Sequence, residues 1–331
     1  MVALAKETKW NGFSMGVTEK EYAKLQNTIN KQLIYNGWFT PENVRNSLLA
    51  IGESLNRSEL NQWASEYAYT AEPKNVGIIM AGNIPLVGFH DFLCAIISGN
   101  SVTCKLSSDD KYLLPALTKP LLEFLPELKQ RITFSTGYLG EIDAVIATGS
   151  DNSAKYFKQY FGKYPHIFRK NRSSVAVLTG NESKHDIEKL GADIFSYFGL
   201  GCRSVSHLLL PRDFDLKRFF EGIFSYSNVI NNNKYGNNYD YNKAVYLLNQ
   251  EELLDNNFVL IRESEELFSP LAMLHYHFYD NQKDIDSYLN SNKKKIQIVV
   301  GQNYVPFGDA QCPELNDYAD GIDVMKWLEN L

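Results

Sequence analysis

The chain has 331 residues, of which 44% are hydrophobic and 22% charged, and its formal net charge is -6. That length suits one large or two medium domains with a sizeable core, and the hydrophobic share excludes a disordered chain. The acidic balance, with no Lys/Arg cluster interleaved with aromatics, excludes a nucleic-acid partner.

The opening segment MVALAKETKWNGF has no apolar core followed by a cleavage site, and no apolar run approaches the roughly 18 residues of a membrane span. A soluble, cytoplasmic chain without a membrane span is expected. Thr18-x-x-Glu21 forms a capping box ahead of YAKLQNTINKQLIYNG, with Gly37 as its stop. Thr40-Pro41-Glu42 opens a second helix with proline in the first turn, and SELNQWASEYAY reads as a third.

After this helical lead-in, strands alternate with helices: NVGIIMA, PLVGFHDFLCAIISG, SVTCKL, LLPALTKPLLEFLPELKQ, DAVIAT, SAKYFKQYFG and SSVAVLTG. The rhythm continues with the helix KHDIEKLGADIFSYFG, the strand HLLLP, the helix DLKRFFEGIFSY, the strands AVYLLN, FVLIRE and LAMLHYHF, a helix near KDIDSYLNSN and the strand IQIVV. NNNKYGNNYDYN reads as a surface loop. Such alternation implies right-handed crossovers and mainly parallel sheets, so the fold class is α/β with two tandem Rossmann-like domains. The expected boundaries are 1–172 for the helices plus a first α/β domain, 173–304 for a second α/β domain, and 305–331 for a tail that packs on the first domain or on a partner subunit.

Four cysteines without C-x-x-C spacing argue against a disulfide framework and a zinc knuckle. His275 and His277 alternate on one strand face, where a structural role is expected rather than a metal site. Cys94 and Cys104 read as core thiols. Cys202, in FGLGCRSVSHLLLP, lies at a helix-to-strand junction approached through Gly199 and Gly201, where the backbone can turn tightly.

Further candidates stand at strand ends, where ligands of parallel sheets bind. Asn83 in AGNIPL offers a neutral amide donor, and Lys105 in SVTCKLSSDD offers a cation to a phosphate. Thr148, Gly149 and Ser150 present backbone N–H groups at a helix start suited to a pyrophosphate, with Asp151 as an alternative helix cap. Glu266 in EELFSPLAML is an acid able to accept hydrogen bonds from a sugar. No strand is followed by G-x-G-x-x-G, so the ordinary dinucleotide fingerprint is missing.

Taken in order, VGIIMAGNIPL, SGNSVTCKLSS, ATGS, FGLGC, EELFSP and the P-F-G at 306–308 resemble the aldehyde dehydrogenase superfamily over roughly residues 72 to 310. AGNIPLVGFHDFL and FGLGCRSVS are most similar to the fatty acyl-CoA reductases related to the reductase subunit of bacterial luciferase systems. The resemblance implies an aldehyde dehydrogenase-like fold, Cys202 as nucleophile and Asn83 as oxyanion donor together with the Cys202 N–H. Thr148, Gly149 and Ser150 then meet the pyrophosphate, Glu266 the nicotinamide ribose, and Phe268 packs beside it. A homodimer and an acyl-transferring partner protein are also implied.

Two departures from the superfamily pattern carry weight. Where E-L-G-G-K supplies a water-activating glutamate, this chain has FRKNRSS, with Arg169 in the acid's place, and a guanidinium cannot act as general base. The captured acyl group is therefore expected to leave by reduction, which implies an acyl-CoA or acyl-carrier thioester as substrate and an aldehyde as product. Where K-P-S-E ends in an acid that binds the adenosine ribose, this chain has Lys105-Leu106-Ser107-Ser108. Loss of that carboxylate at Ser108, with Lys105 nearby, favours NADPH, hence NADP over NAD. The alternatives are an aldehyde dehydrogenase, an acyl-phosphate reductase of the same superfamily, and a non-catalytic nucleotide- or acyl-binding paralogue.

Overall fold

Thr18 caps the first long helix as its spacing predicts: its hydroxyl accepts the Glu21 N–H at 3.3 Å, and the Glu21 carboxylate accepts the Thr18 N–H at 2.8 Å. In this computed structural model, which describes residues 1–12, 16–70 and 72–331, the lead-in comprises α1 (Val2–Ala5), α2 (Glu19–Tyr35), α3 (Pro41–Ser54) and α4 (Arg57–Ser65). Thr40 and Asn56 cap α3 and α4 with their side chains. α2 ends on Asn36 rather than Gly37.

The alternating region then gives β1 (Asn75–Ile79), α5 (Phe89–Ile97), β2 (Ser101–Lys105), α6 (Leu113–Phe124), β3 (Ile132–Ser135), β4 (Ala144–Thr148), α7 (Asp151–Phe161) and β5 (His166–Arg169). These strands form one sheet in the order β3-β2-β1-β4-β5, parallel throughout. Val76, Ile78, Val102 and Ile146 face a core shared with Phe39, Val44, Leu48 and Phe92. Ile79, Val145 and Ala147 face the other way, against Phe157 and Phe161 of α7. The sheet is thus covered on both sides, which is why its central strands read as continuous apolar runs.

The second sheet uses β6 (Ser173–Val177), α8 (Lys184–Phe195), β7 (Val205–Pro211), α9 (Leu216–Gly222), α10 (Asn233–Leu248), β8 (Leu254–Asp255), β9 (Leu260–Glu263), β10 (Met273–Tyr279), α11 (Gln282–Asn292) and β11 (Ile296–Gly301). Its order is β11-β6-β7-β10-β9-β8, and only the β8–β9 pair is antiparallel.

One expectation fails here. The asparagine-rich stretch read as a loop, and AVYLLN read as a strand, together form the single helix α10. Asn232 caps it by accepting the N–H groups of Lys234 and Tyr235. Tyr235, Tyr239 and Asn242 recur at helical spacing and are all buried. Tyr235 donates its hydroxyl to the Phe258 carbonyl at 3.0 Å, and Tyr239 donates to Asp255 at 2.6 Å. Burial of one tyrosine face overrides the weak helix propensity of asparagine.

The chain divides into two compact units, Met1–Asn171 with Pro313–Leu331, and Arg172–Cys312. In the first unit the returning segment ends in α12 (Val324–Glu329), whose Val324, Met325 and Leu328 enter the same core as the lead-in helices. Trp63 donates to the Tyr318 hydroxyl at 2.9 Å, and Tyr67 donates to Asp323 at 3.0 Å. Among the described residues, no helix is long and apolar enough to cross a membrane.

Candidate active site

In the first unit the chain leaves β1 toward β2 and β3, then returns to β4 on the opposite flank of β1. Reversals of this kind open a crevice at the carboxyl ends of the strands, where ligands of open α/β sheets bind. The Asn83 loop leaves β1 at this edge, Lys105 ends β2, and Thr148 ends β4 just before Gly149 and Ser150.

Two glycines let these segments approach one another. A Cβ on Gly82 would lie 2.8 Å from Ser107 Cβ and 2.9 Å from Asp109 Cβ, so the Asn83 loop presses directly onto the loop after β2. A Cβ on Gly149 would lie 2.8 Å from Ser153 Cβ, which ties the loop after β4 to the first turn of α7.

Ser150 caps α7, its hydroxyl accepting the Ser153 N–H at 3.3 Å. The Asp151 side chain, the alternative cap, lies outside the described residues. Ser108 is exposed on a 3-10 turn, with Asp109 exposed beside it. The cation, the exposed hydroxyl and the N–H groups at a helix start make a donor set that suits a nucleotide phosphate.

Asp110 at the end of that turn had no signal in the sequence. Its Oδ2 accepts the Leu86 N–H at 2.7 Å, and Ser47 donates to the Pro85 carbonyl at 2.8 Å. Leu86 has φ 59°, a left-handed conformation costly for a leucine, so these two bonds hold the exit of the Asn83 loop in place. Burial pushes the Asp110 carboxyl up to about 6.

A raised folded-state pKa favours the protonated fold. The contribution of Asp110 to stability is therefore full below its ordinary value of 3.8 and is lost as pH rises through about 6. Thermal melts should accordingly show Asp110→Asn gaining on the wild type between about pH 4 and 7, by on the order of 2 kcal/mol. A constant difference across that range would contradict the assignment.

In the second unit, α8 ends at Phe195 and the chain makes a 3-10 turn, Ser196–Gly199. Tyr197, Phe198 and Gly199 have φ of 53°, 58° and 77° in succession. The strain is held by packing, since both aromatic residues are buried and Phe198 lies against Tyr235 with ring centroids 6.1 Å apart.

Cys202 follows, half-buried, on a turn closed by the Ser204 N–H to the Gly201 carbonyl at 2.9 Å. The Ser174 hydroxyl donates to the Cys202 carbonyl at 3.0 Å. The turn precedes the amino end of β7 and comes after the carboxyl end of a helix. The helix terminus next to Cys202 in the chain thus carries negative partial charge and gives no help in forming a thiolate. Arg203 is anchored instead by its Nε–H to the Ala310 carbonyl.

Cys94 and Cys104 are fully buried, and burial pushes both thiols up, Cys104 to about 12. They are core residues, as expected.

Glu266 and Phe268 are exposed on the loop between β9 and β10, the strand paired with β7. The same loop reaches the approach to Cys202, because a Cβ on Gly199 would lie 3.9 Å from Leu271 Cδ1. Histidines fix this loop from below. His207 Nδ1 and His275 Nδ1 lie 3.0 and 2.8 Å from the Glu266 carbonyl. A carbonyl only accepts, so both Nδ1 atoms carry protons. His207 Nε2 must then accept from His277 Nδ1, 2.8 Å away. Burial drives His207 down to about 3, so the relay is neutral. The alternating histidines of β10 are structural, as expected, and His207 on the next strand is the partner that spacing along one strand could not show.

Arg169, which the sequence pattern puts where the superfamily has its glutamate, ends β5 in the first unit and is buried. Its Nη2 and Nε donate to the two carboxylate oxygens of Asp91 on α5 at 2.6 and 3.3 Å, and its Nη1 donates to the Ala319 carbonyl at 2.6 Å. Burial disfavours the charge but Asp91 outweighs it, leaving the guanidinium above its ordinary value. The side chain is a structural fork and offers no base.

Solved aldehyde dehydrogenases share this fold. The enzyme KauB from Pseudomonas aeruginosa aligns with a TM-score of 0.56 at 14% identity, covering 90% of this chain and 76% of that one. The Mycobacterium tuberculosis aldehyde dehydrogenase complexed with NAD+ aligns with a TM-score of 0.55 at 14% identity, covering 87% and 74%. Among curated proteins, the chain is similar to two long-chain acyl-protein thioester reductases. That of Aliivibrio fischeri is 26% identical over 56% of this chain and 42% of the relative. That of Photorhabdus laumondii is 23% identical over 77% and 60%. The chain thus spans about half the length of the curated relatives it matches. The family model described as acyl-CoA reductase (LuxC) matches residues 17–219, taking in Asn83, Lys105, Ser108, Thr148 to Ser150 and Cys202 but stopping before Glu266 and Phe268. With more than half its length matched, and on the fold of the aldehyde dehydrogenases, the chain belongs to the acyl-CoA reductase (LuxC) family.

Proposed function

We propose that this chain reduces an acyl thioester, carried by coenzyme A or by a protein, to the aldehyde through a covalent acyl-cysteine. The observation that carries this reading is Cys202, half-buried on a turn fixed by Ser174 and Ser204 behind a strained, glycine-relieved approach. The names of the curated relatives support the substrate class. The Arg169–Asp91 pair supports reduction over hydrolysis, because the position of the water-activating acid holds a buried cation.

Cys202 acts as thiolate: its sulfur bonds the acyl carbonyl carbon while the bond to the donor's sulfur breaks, and the departing thiolate takes up a proton from water. Asn83 and the Cys202 N–H serve as oxyanion donors. A nicotinamide cofactor, when bound, supplies hydride to the acyl carbon. Cys202 then leaves as thiolate as the thiohemiacetal collapses, which frees the aldehyde.

Lys105, Ser108, Thr148, Gly149 and Ser150 hold the phosphates and adenosine ribose, and Glu266 with Phe268 the nicotinamide end. The hydroxyl of Ser150 is committed to α7, so its share comes from the backbone N–H. Lys105 and Ser108 favour NADPH, against which the exposed Asp109 sets one nearby carboxylate.

The test is loss of reduced-nicotinamide absorbance on adding acyl-CoAs of graded length, with NADPH and NADH compared at equal concentration. Turnover that depends on a long-chain thioester, faster with NADPH, is the expected result. No turnover with any thioester rejects the reductase, and a marked preference for NADH rejects the roles given to Lys105 and Ser108.

A further inference from the structure

Resting on the reading of Cys202 as nucleophile, we propose that Asp193 is a positioning residue that sets the reactivity of Cys202 through the segment 308–311. Asp193 lies on α8 and is fully buried. Its two oxygens are both engaged: Oδ2 accepts the Gly308 N–H at 2.8 Å, and Oδ1 accepts the Ala310 N–H at 2.9 Å.

The grip passes directly to the nucleophile's turn. The Ala310 carbonyl accepts the Arg203 Nε–H, and Gln311 Nε2 donates to Ser204 Oγ at 3.3 Å. Arg203 and Ser204, the two residues after Cys202, are thus both tied to a segment that Asp193 holds. Gly308 makes the arrangement possible. It has φ 94°, and a Cβ there would lie 3.3 Å from Lys189 Cβ, so only glycine lets the segment close onto α8.

The consequence for Cys202 is electrostatic as well as geometric. No helix amino terminus precedes the thiol, so Arg203 is the cation adjacent to it in the chain. An arginine free to swing into water lowers a thiol's pKa far less than one held in place. The charged and titratable groups facing Asp193 are Arg203 on the turn, Asp309 on the segment and Tyr226 from the 3-10 stretch Phe224–Asn231. Burial pushes the Asp193 carboxyl up to about 6. Below that pH the carboxyl gives up one acceptor, and the segment loosens.

The experiment measures the rate of iodoacetamide alkylation at the Cys202 peptide by mass spectrometry between about pH 5 and 9, in the full chain without thioester or cofactor. Asp193→Asn should slow alkylation at neutral pH by roughly tenfold and raise the apparent thiol pKa by about one unit. It should also remove an inflection near pH 6 that the wild type shows. Arg203→Gln should give the same shift, and the double variant should lose no more than either single one, since both remove one coupling. Unchanged alkylation in Asp193→Asn, or fully additive losses, overturns the proposal. Should Asp193→Asn not fold, Arg203→Gln decides alone, and unaltered alkylation there overturns it. Alkylation that responds as expected in a protein that turns over no thioester leaves this inference standing and rejects the substrate reading instead.

Discussion

Cys202→Ala is expected to take up no acyl label from a radiolabelled long-chain thioester and to lose turnover by on the order of 10⁴-fold or more, because no other group replaces a covalent nucleophile. Cys312→Ala is the control, since Cys312 is exposed and lies outside the turn; it should label normally. Asn83→Ala should still label, at a rate lower by about 10²–10³, the usual effect of losing one oxyanion donor. Stoichiometric label on Cys202→Ala would move the chemistry to another residue. Faster labelling of Asn83→Ala would strip the amide of its role.

The second large effect falls on stability. Arg169→Met should destabilise the first unit by about 3–5 kcal/mol in urea titrations, because Asp91 is left buried with its charge unmatched. The cause is the burial of both partners, at 5% and 8% side-chain exposure, with a fork geometry in which both carboxylate oxygens are bound. Replacing the pair together, Arg169→Met with Asp91→Leu, should recover most of that loss, since a buried ion pair contributes little beyond its apolar isosteres. A single variant as stable as the wild type would show that the pair is solvated.

The sequence showed what is local or ordered along the chain. The capping box at Thr18, the central strands β1, β2, β4 and β6 and the order of motifs from Asn83 to P-F-G needed only spacing and apolar runs. β3, β5 and β8 escaped notice because ITFS, HIFR and LD hold no run of three apolar residues, unlike the FVLI that leads into β9. α10 was misread because asparagine signals turns, while its buried tyrosine face depends on Phe258 and Asp255, which no local rule brings into view.

The residues whose partners lie far along the chain were the least visible. Asp91 lies 78 residues from Arg169, and Asp193 lies 115 and 117 residues from its two donors. An acid of this kind reads as one more helical polar residue until the fold supplies its partners. Asp110 hid in the same way, inside a polar run that suggested only a surface turn.

The return of Pro313–Leu331 to the first unit has a consequence for how the molecule comes into being. A ribosome delivers the sheet of that unit early, yet Leu48, Val76 and Phe92 share their core with Val324, Met325 and Leu328, which are made only after Arg172–Cys312. The Arg169 guanidinium waits likewise for the Ala319 carbonyl. During synthesis the earlier-begun unit stays unfinished, with apolar surface open to water or to a chaperone, until Arg172–Cys312 has been made in full. The unit whose synthesis begins first is thus the one completed second.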